Sequence, residues 1–224
     1  MTNIDFCHLM FIMVCSFSRR CSWLISHIHM KKKIETLSKE QILTATEETL
    51  RRFGIAKTSV TDVAKTLNVS HGTIYRHFKS KAELLEGATE KWLNETIIAP
   101  LTAVYEDRSL KGSDSLKTYI QTLITLKRSS AHHEKELFEM YAKVTEEAGD
   151  LIEQHVNRMT NQMSEIIKRS DLQASAPDRL AHSIFFATTR FHHPSHAYEW
   201  DSPTIDQEFL DLWELLERGF LNKK

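Results

Sequence analysis

Apolar residues recur at helical spacing along most of the chain. Ser38-x-x-Gln41 forms a capping box, and Ile42, Ala45, Leu50 and Phe53 then share one face of a helix over 38–53, with Gly54 placed to end it. Val60, Val63, Ala64 and Leu67 stand at i, i+3, i+4 and i+7, the pattern of a short amphipathic helix. Asn68-Val69-Ser70 interrupts that pattern, and His71 to Phe78 makes a second short helix. Ser80-x-x-Glu83 is another capping box, opening a long helix that runs past Trp92 toward Pro100. Further helical runs begin near Ser113, Ala131, Glu147, Pro177 and Thr204, and Ser175 is placed to cap the run that Pro177 opens. Period-two alternation persists nowhere. Six glycines and four prolines are too few for the tight turns of a sandwich or barrel. The pattern predicts an all-α chain.

Charge divides this helical chain into parts. A length of 224 residues suits one or two domains. The overall charge of −1 hides an asymmetry. Residues 30–81 carry 11 basic and 5 acidic residues, net +6, whereas residues 82–224 carry 16 basic and 24 acidic, net −8. A basic module on an acidic body points to a polyanion-binding unit attached to a body with another task. The expected domains are 30–82 and 83–224.

Residues 1–29 match neither part. They hold all three cysteines, Cys7, Cys15 and Cys21, and a short apolar run from Leu9 to Phe17. That run is shorter than the roughly 20 residues a spanning helix needs, and the basic flank of a signal peptide is missing. Met30 then opens Lys31-Lys32-Lys33. The expectation is that the working protein starts at Met30 and that 1–29 is an apolar extension from a mis-assigned start, or a loosely ordered arm. From Met30 on there is no cysteine, hence no disulfide framework, and the expected location is the cytoplasm.

Residues 58–85 carry the clearest chemistry. Two short helices joined by a tight turn form a helix-turn-helix, with Val60, Val63, Ala64, Leu67, Val69, Ile74 and Phe78 packing the pair against the helix at 38–53. The second helix opens in small and polar residues, Ser70, His71, Gly72 and Thr73, and would be presented to the major groove of duplex DNA. Gly72 lets the backbone come close. Thr58, Ser59 and Thr61 lie where the free N–H groups of the first helix can bind phosphate. Tyr75, His77, Lys79 and Lys81 are candidates for phosphate contact, and Arg76 for base or phosphate contact.

Thr58-Ser59-Val60-Thr61-Asp62-Val63-Ala64, followed by Leu67 to Leu85 with Val-Ser, Gly-Thr, Tyr-x-x-Phe and Ser-Lys-x-x-Leu-Leu at these spacings, closely resembles the DNA-binding region of the tetracycline-repressor (TetR) family. The likeness covers roughly residues 38–92. Where relatives often carry lysine or arginine, this chain has His71. The resemblance implies an all-α homodimeric transcription regulator, commonly a repressor. Three N-terminal helices would read DNA and about six more would sense a ligand and dimerise. A two-fold dimer implies a palindromic operator.

The body offers less specific signals. Ile184, Phe185, Ala187, Thr188 and Phe191 line one apolar run, and Phe209, Leu212, Trp213, Leu216 and Phe220 another. Two such helices from each of two subunits can close an intersubunit four-helix bundle, the arrangement the resemblance implies. Trp92, Tyr105, Tyr119, Leu123, Phe138, Tyr141, His155, Met159 and Met163 are candidates to line a cavity for a largely hydrophobic small-molecule effector. His192, His193 and His196 cluster around Pro194, which opens an alternative: a metal- or haem-sensing regulator. No cysteine or carboxylate stands at ligand spacing beside them, and a helix-terminal corner explains the same residues, so no cofactor is expected. His132-His133-Glu134 and Glu146-Glu147 are the nearest material for catalysis, and they read as solvated helix faces rather than an enzyme's site.

Overall fold

The computed structural model describes residues 37–221, apart from 171 and 173. The 1–29 extension, its cysteines and the lysine run lie outside the described residues. Every regular element described is helical, and no strand occurs among the described residues.

Helix α1, Lys39–Phe53, starts at the predicted box: the Ser38 hydroxyl accepts the Gln41 N–H at 3.1 Å and the Gln41 side chain accepts the Ser38 N–H at 2.8 Å. Ile42, Ala45 and Leu50 are buried. Phe53, expected on the same face, is 44% exposed, because the last turn extends past the elements that cover Leu50, and its ring lies under the Arg52 guanidinium instead. Helix α2, Val60–Thr66, is capped by Ser59, which exchanges bonds with Asp62 in a second complete box.

The turn out of α2 is made by Asn68, at φ +53°, a left-handed conformation that asparagine tolerates. The Val69 N–H then reaches back to the Ala64 carbonyl at 2.9 Å and closes the helix end. Helix α3, His71–Tyr75, is capped by Ser70 and is shorter than the run to Phe78 read from the sequence. The His77 and Phe78 N–H groups both bond the Ile74 carbonyl, which tightens the last turn and swings Phe78 into the core.

Helix α4, Lys81–Leu93, is capped by the Ser80 hydroxyl, which accepts the Glu83 N–H at 3.0 Å. Only half of the expected box forms, since the Glu83 carboxylate turns to the Lys79 N–H. Removing the cap with Ser80→Ala is expected to lower stability by about 1 kcal/mol, as measured by urea unfolding of the full chain. Gly87 is needed where α4 crosses Phe78: a Cβ there would stand 3.1 Å from the Phe78 ring and 3.2 Å from Leu43.

The helical path does not stop at Pro100. A π-helical turn, Asn94–Ile98, leads directly into α5, Ala99–Glu106. The Ala99 N–H bonds Asn94, one residue further back than in an α-helix, so the ladder is already widened where the proline has no N–H to give. The long helices α6 (Gly112–His133), α7 (Lys135–Glu147) and α8 (Gly149–Arg169) follow, turned by the single non-helical residues Glu134 and Ala148. Thus no element begins at Ala131, which lies inside α6. Helix α9, Pro177–Ala187, begins after Ala176 with no side-chain cap, so Ser175 does not fill the predicted role. Two short 3₁₀ turns, Thr189–Phe191 and Pro194–Glu199, lead to α10, Ile205–Leu221.

The faces of α9 and α10 are distributed differently from the sequence reading. Ile184, Phe185, Thr188, Phe191, Phe209 and Trp213 are buried inside this chain's own core, and Leu212, Leu216 and Phe220 are partly buried. Both stripes are wide enough to serve that core, with Phe191, Phe209, Trp213 and Phe220 stacking ring to ring. The apolar side chains left facing outward are Phe186, Leu210 and Leu215, with Ala187 beside them.

Candidate nucleic-acid interface and regulatory cavity

α2 packs against α1 and α3 packs against α2, with Val60, Val63, Ala64 and Ile74 buried and Phe78, just beyond α3, buried as well. The opposite side of α3 is bare. His71, Gly72, Tyr75 and Arg76 are exposed, and Tyr75 is 47% exposed with the His71 ring edge-on, 6.1 Å away. Lys79 is exposed beyond them, Thr61 is exposed on α2, and Thr73 and His77 are half-buried at the edge. Ser70 is occupied as a cap, bonded to the Thr73 N–H and hydroxyl. Ser59 likewise caps α2. Thr58 is turned inward: it is buried and its hydroxyl donates to the Gly54 carbonyl at 2.8 Å, so it braces the loop. The Lys81 ammonium reaches the Ile55 carbonyl at 3.4 Å. Nothing within the fold demands a glycine at 72, since a Cβ would meet only the Ser70 hydroxyl at 3.7 Å.

The body contains a cavity of about 340 Å³ between α6, α7, α8 and α9. Of the proposed lining residues, Leu123, Tyr141, His155 and Met159 face it. The other five do not. Trp92 lies behind Tyr141, 5.5 Å ring to ring. Tyr119 is fully buried and donates its hydroxyl to Gln162 at 2.6 Å, while Gln162 donates on to Thr102. Phe138 packs between Tyr141 and Trp200, Met163 is core, and Tyr105 stacks with the Arg169 guanidinium.

The sequence reading missed the most unusual side chain in the cavity. Lys127 is fully buried and its amine has no hydrogen-bond partner; it sits 3.7 Å from the centre of the Tyr141 ring. Burial pushes its pKa well down. The helical register held the signal: Leu116, Tyr119, Leu123 and Lys127 fall on one buried stripe of α6. His155 faces the same cavity, also with an unpartnered buried nitrogen, and burial holds it neutral.

Glu134, at the corner between α6 and α7, joins the two parts. Its carboxylate accepts from Arg51 of α1 at 3.1 Å and from the Trp92 indole of α4 at 3.0 Å. Trp92 in turn backs Tyr141 and lies 5.9 Å from the Lys127 amine. A continuous set of contacts therefore runs from the cavity wall to α1, the first helix of the helix-turn-helix module.

The histidines around Pro194 do not converge. His192 is buried, bonded to Thr188 and the Phe185 carbonyl, and burial pushes its pKa down to about 3. His193 accepts from Ser195, and His196 pairs with Glu199 at 2.8 Å. Among the described residues no three His, Cys, Asp or Glu side chains are grouped to hold a metal ion. The corner is built as a helix terminus, and this arrangement does not favour the metal- or haem-sensing alternative.

Residues 42–88 match the family described as bacterial regulatory proteins, tetR family, and residues 112–213 match the tetracyclin repressor-like C-terminal domain. An uncharacterized HTH-type transcriptional regulator of Haemophilus influenzae is 49% identical over 47 residues, 21% of this chain and 25% of that protein. The nucleoid occlusion factor SlmA of Aliivibrio fischeri is 29% identical over 136 residues, 60% of this chain and 63% of that protein. The matched stretches therefore span less than two-thirds of either relative. A TetR transcriptional regulator from Legionella pneumophila shares the fold, with a TM-score of 0.52 at 18% identity over 82% of this chain and 97% of that one. With the helix-turn-helix module and the helical body each matched to its own part of one family, the chain belongs to the tetracycline-repressor family of transcriptional regulators.

Proposed function

We propose that the protein is a homodimeric repressor that binds a palindromic operator through α3 and is released by a small-molecule effector held in the body. The observation that carries this reading is the bare face of α3, where His71, Gly72, Tyr75 and Arg76 stand exposed on a helix whose other side is locked into the core. Ser70, Thr73, His77, Lys79 and Lys81 frame that face, and Ser59 and Thr61 lie at the start of α2, where free N–H groups favour phosphate. Thr58 contributes by holding the loop. The reading divides the protein into a DNA-binding domain over 30–82 and a sensing and dimerising domain over 83–224. It places the protein in the cytoplasm with DNA, and no described helix is long and apolar enough to cross a membrane.

Phe186, Leu210 and Leu215 support the dimer, since large apolar side chains exposed on the last two helices are what a second subunit would cover. Two α3 helices would then meet the major groove about 34–36 Å apart, or a multiple of that. The effector acts by preferring the conformer that binds DNA poorly. The contacts from Lys127 through Tyr141 and Trp92 to Glu134 and Arg51 are the route by which a change in the cavity reaches α1 and α4.

Tyr75→Ala tests the DNA-facing assignment. Truncating a half-exposed ring leaves the core intact, so the melting temperature is expected to change little while operator affinity falls about tenfold. A fluorescence-anisotropy titration reads this directly, and unchanged affinity would refute the contact.

A further inference from the structure

The effector cavity has a polarity of its own. Most of its wall is apolar, including Leu123, Ile152, Val156, Met159 and Phe185. Two buried nitrogens break that wall. The Lys127 amine and His155 Nε2 both lack a hydrogen-bond partner among the described residues, and both side chains line the same space. A buried polar group without a partner destabilises a fold, and a buried amine does so most of all. Two such groups facing one cavity mark a place where a ligand can supply acceptors.

Resting on the reading of this cavity as the effector site, we propose that the effector is a monocarboxylic acid with a hydrophobic body. Its carboxylate is held by the Lys127 ammonium and by the single N–H of a neutral His155, and its body lies against the apolar wall toward Phe186, which is 52% exposed at the cavity's edge. Burial alone disfavours the charged form of the Lys127 amine. An acid entering in its protonated form gives its proton to the Lys127 nitrogen, and the resulting ammonium–carboxylate pair satisfies both partners. The other titratable residues around the cavity fit this assignment. Burial pushes the His192 and His193 imidazoles toward the neutral form, so neither opposes an acid, and Glu153, the one carboxylate along the wall, is exposed to solvent. A dianionic phosphate would need a guanidinium fork or further donors, and no arginine lines the cavity. The volume of about 340 Å³ falls at the small end of ligand pockets, suited to one compact acid.

The test uses the full-length protein and three probes with the same alkyl body: decanoate, 1-decanol and decylamine. Isothermal titration is expected to show decanoate binding at least about tenfold more tightly than decanol, with decylamine weakest. Lys127→Met keeps the volume and removes the amine. This variant is expected to melt no lower than the parent, because an unpartnered buried group is gone, and to bind decanoate and decanol equally. Decanol binding as tightly as decanoate to the parent, a preference that survives Lys127→Met, or no binding of any probe would overturn the proposal. Operator affinity of the ligand-free protein is measured on the same preparations. If DNA binding is intact and the probes fail, the ligand assignment alone has failed; if DNA binding is also absent, the regulator reading has failed with it.

Discussion

Gly72→Glu is expected to abolish specific operator binding while leaving the protein folded. The fold itself has room at this position: a Cβ at 72 meets only the Ser70 hydroxyl, at ordinary contact distance. Gly72 is exposed and lies in the first turn of α3. A side chain there removes backbone freedom from the unfolded chain, so stability should hold or rise slightly. In the proposed complex with DNA, the same position faces the groove. A glutamate would add bulk where the backbone must approach and a negative charge beside phosphates, a loss on the order of a hundredfold or more. Anisotropy titration together with a thermal melt separates the two effects. Unchanged operator affinity with an unchanged melt would remove α3 from the interface.

Trp92→Ala is expected to have the largest effect on stability, about 3–5 kcal/mol. The ring is fully buried near the C-terminal end of α4, packed on Tyr141, and its indole N–H holds Glu134, which also holds Arg51. Truncation opens a cavity and leaves one buried partner of a carboxylate unmade. For a domain of ordinary stability, about 5–15 kcal/mol in total, this leaves a marginal protein. Urea unfolding followed by far-ultraviolet circular dichroism measures the loss. A cost below about 1 kcal/mol would contradict the placement of Trp92 as the bracket between the DNA-facing module and the body.

The DNA-facing module was legible because its signals are local. Ser38 and Ser80 cap where a hydroxyl followed three residues later by a polar side chain predicts a helix start, and Ser59, read from the sequence only for phosphate contact, has the same spacing to Asp62 and caps α2. Asn68 and Gly54 turn where their tolerance of positive φ allows it. The body was less legible because its corners carry little punctuation. Glu134 breaks a long helix with neither glycine nor proline beside it, and Ala148 does so with only Gly149 after it, so the starts of α7 and α8 could only be placed approximately. Pro100 misled in the other direction, since a π turn absorbs it.

Side-chain destinations in the body depend on tertiary contacts that periodicity does not encode. Tyr119 suits a ligand cavity by type, but Gln162 and Thr102 satisfy it deep in the core. Phe185 and Phe186 are neighbours, yet one is buried and the other half-exposed, so the apolar face that α9 leaves exposed is not the face its apolar stripe suggests. Lys127 was overlooked because a lysine is presumed to be solvated. Its register with Leu116, Tyr119 and Leu123 was the visible clue that it is not.

The most direct test of the account is selection of DNA by the full-length protein from a library of random duplexes, at several salt concentrations. Enrichment of one palindromic sequence is expected, with half-sites about one helical turn or a multiple of it apart. Affinity for that sequence should exceed that for random duplex by about a thousandfold or more and fall steeply as salt rises. Enrichment of no sequence, or equal binding to selected and random duplexes at every salt concentration, would contradict sequence-specific regulation by this protein.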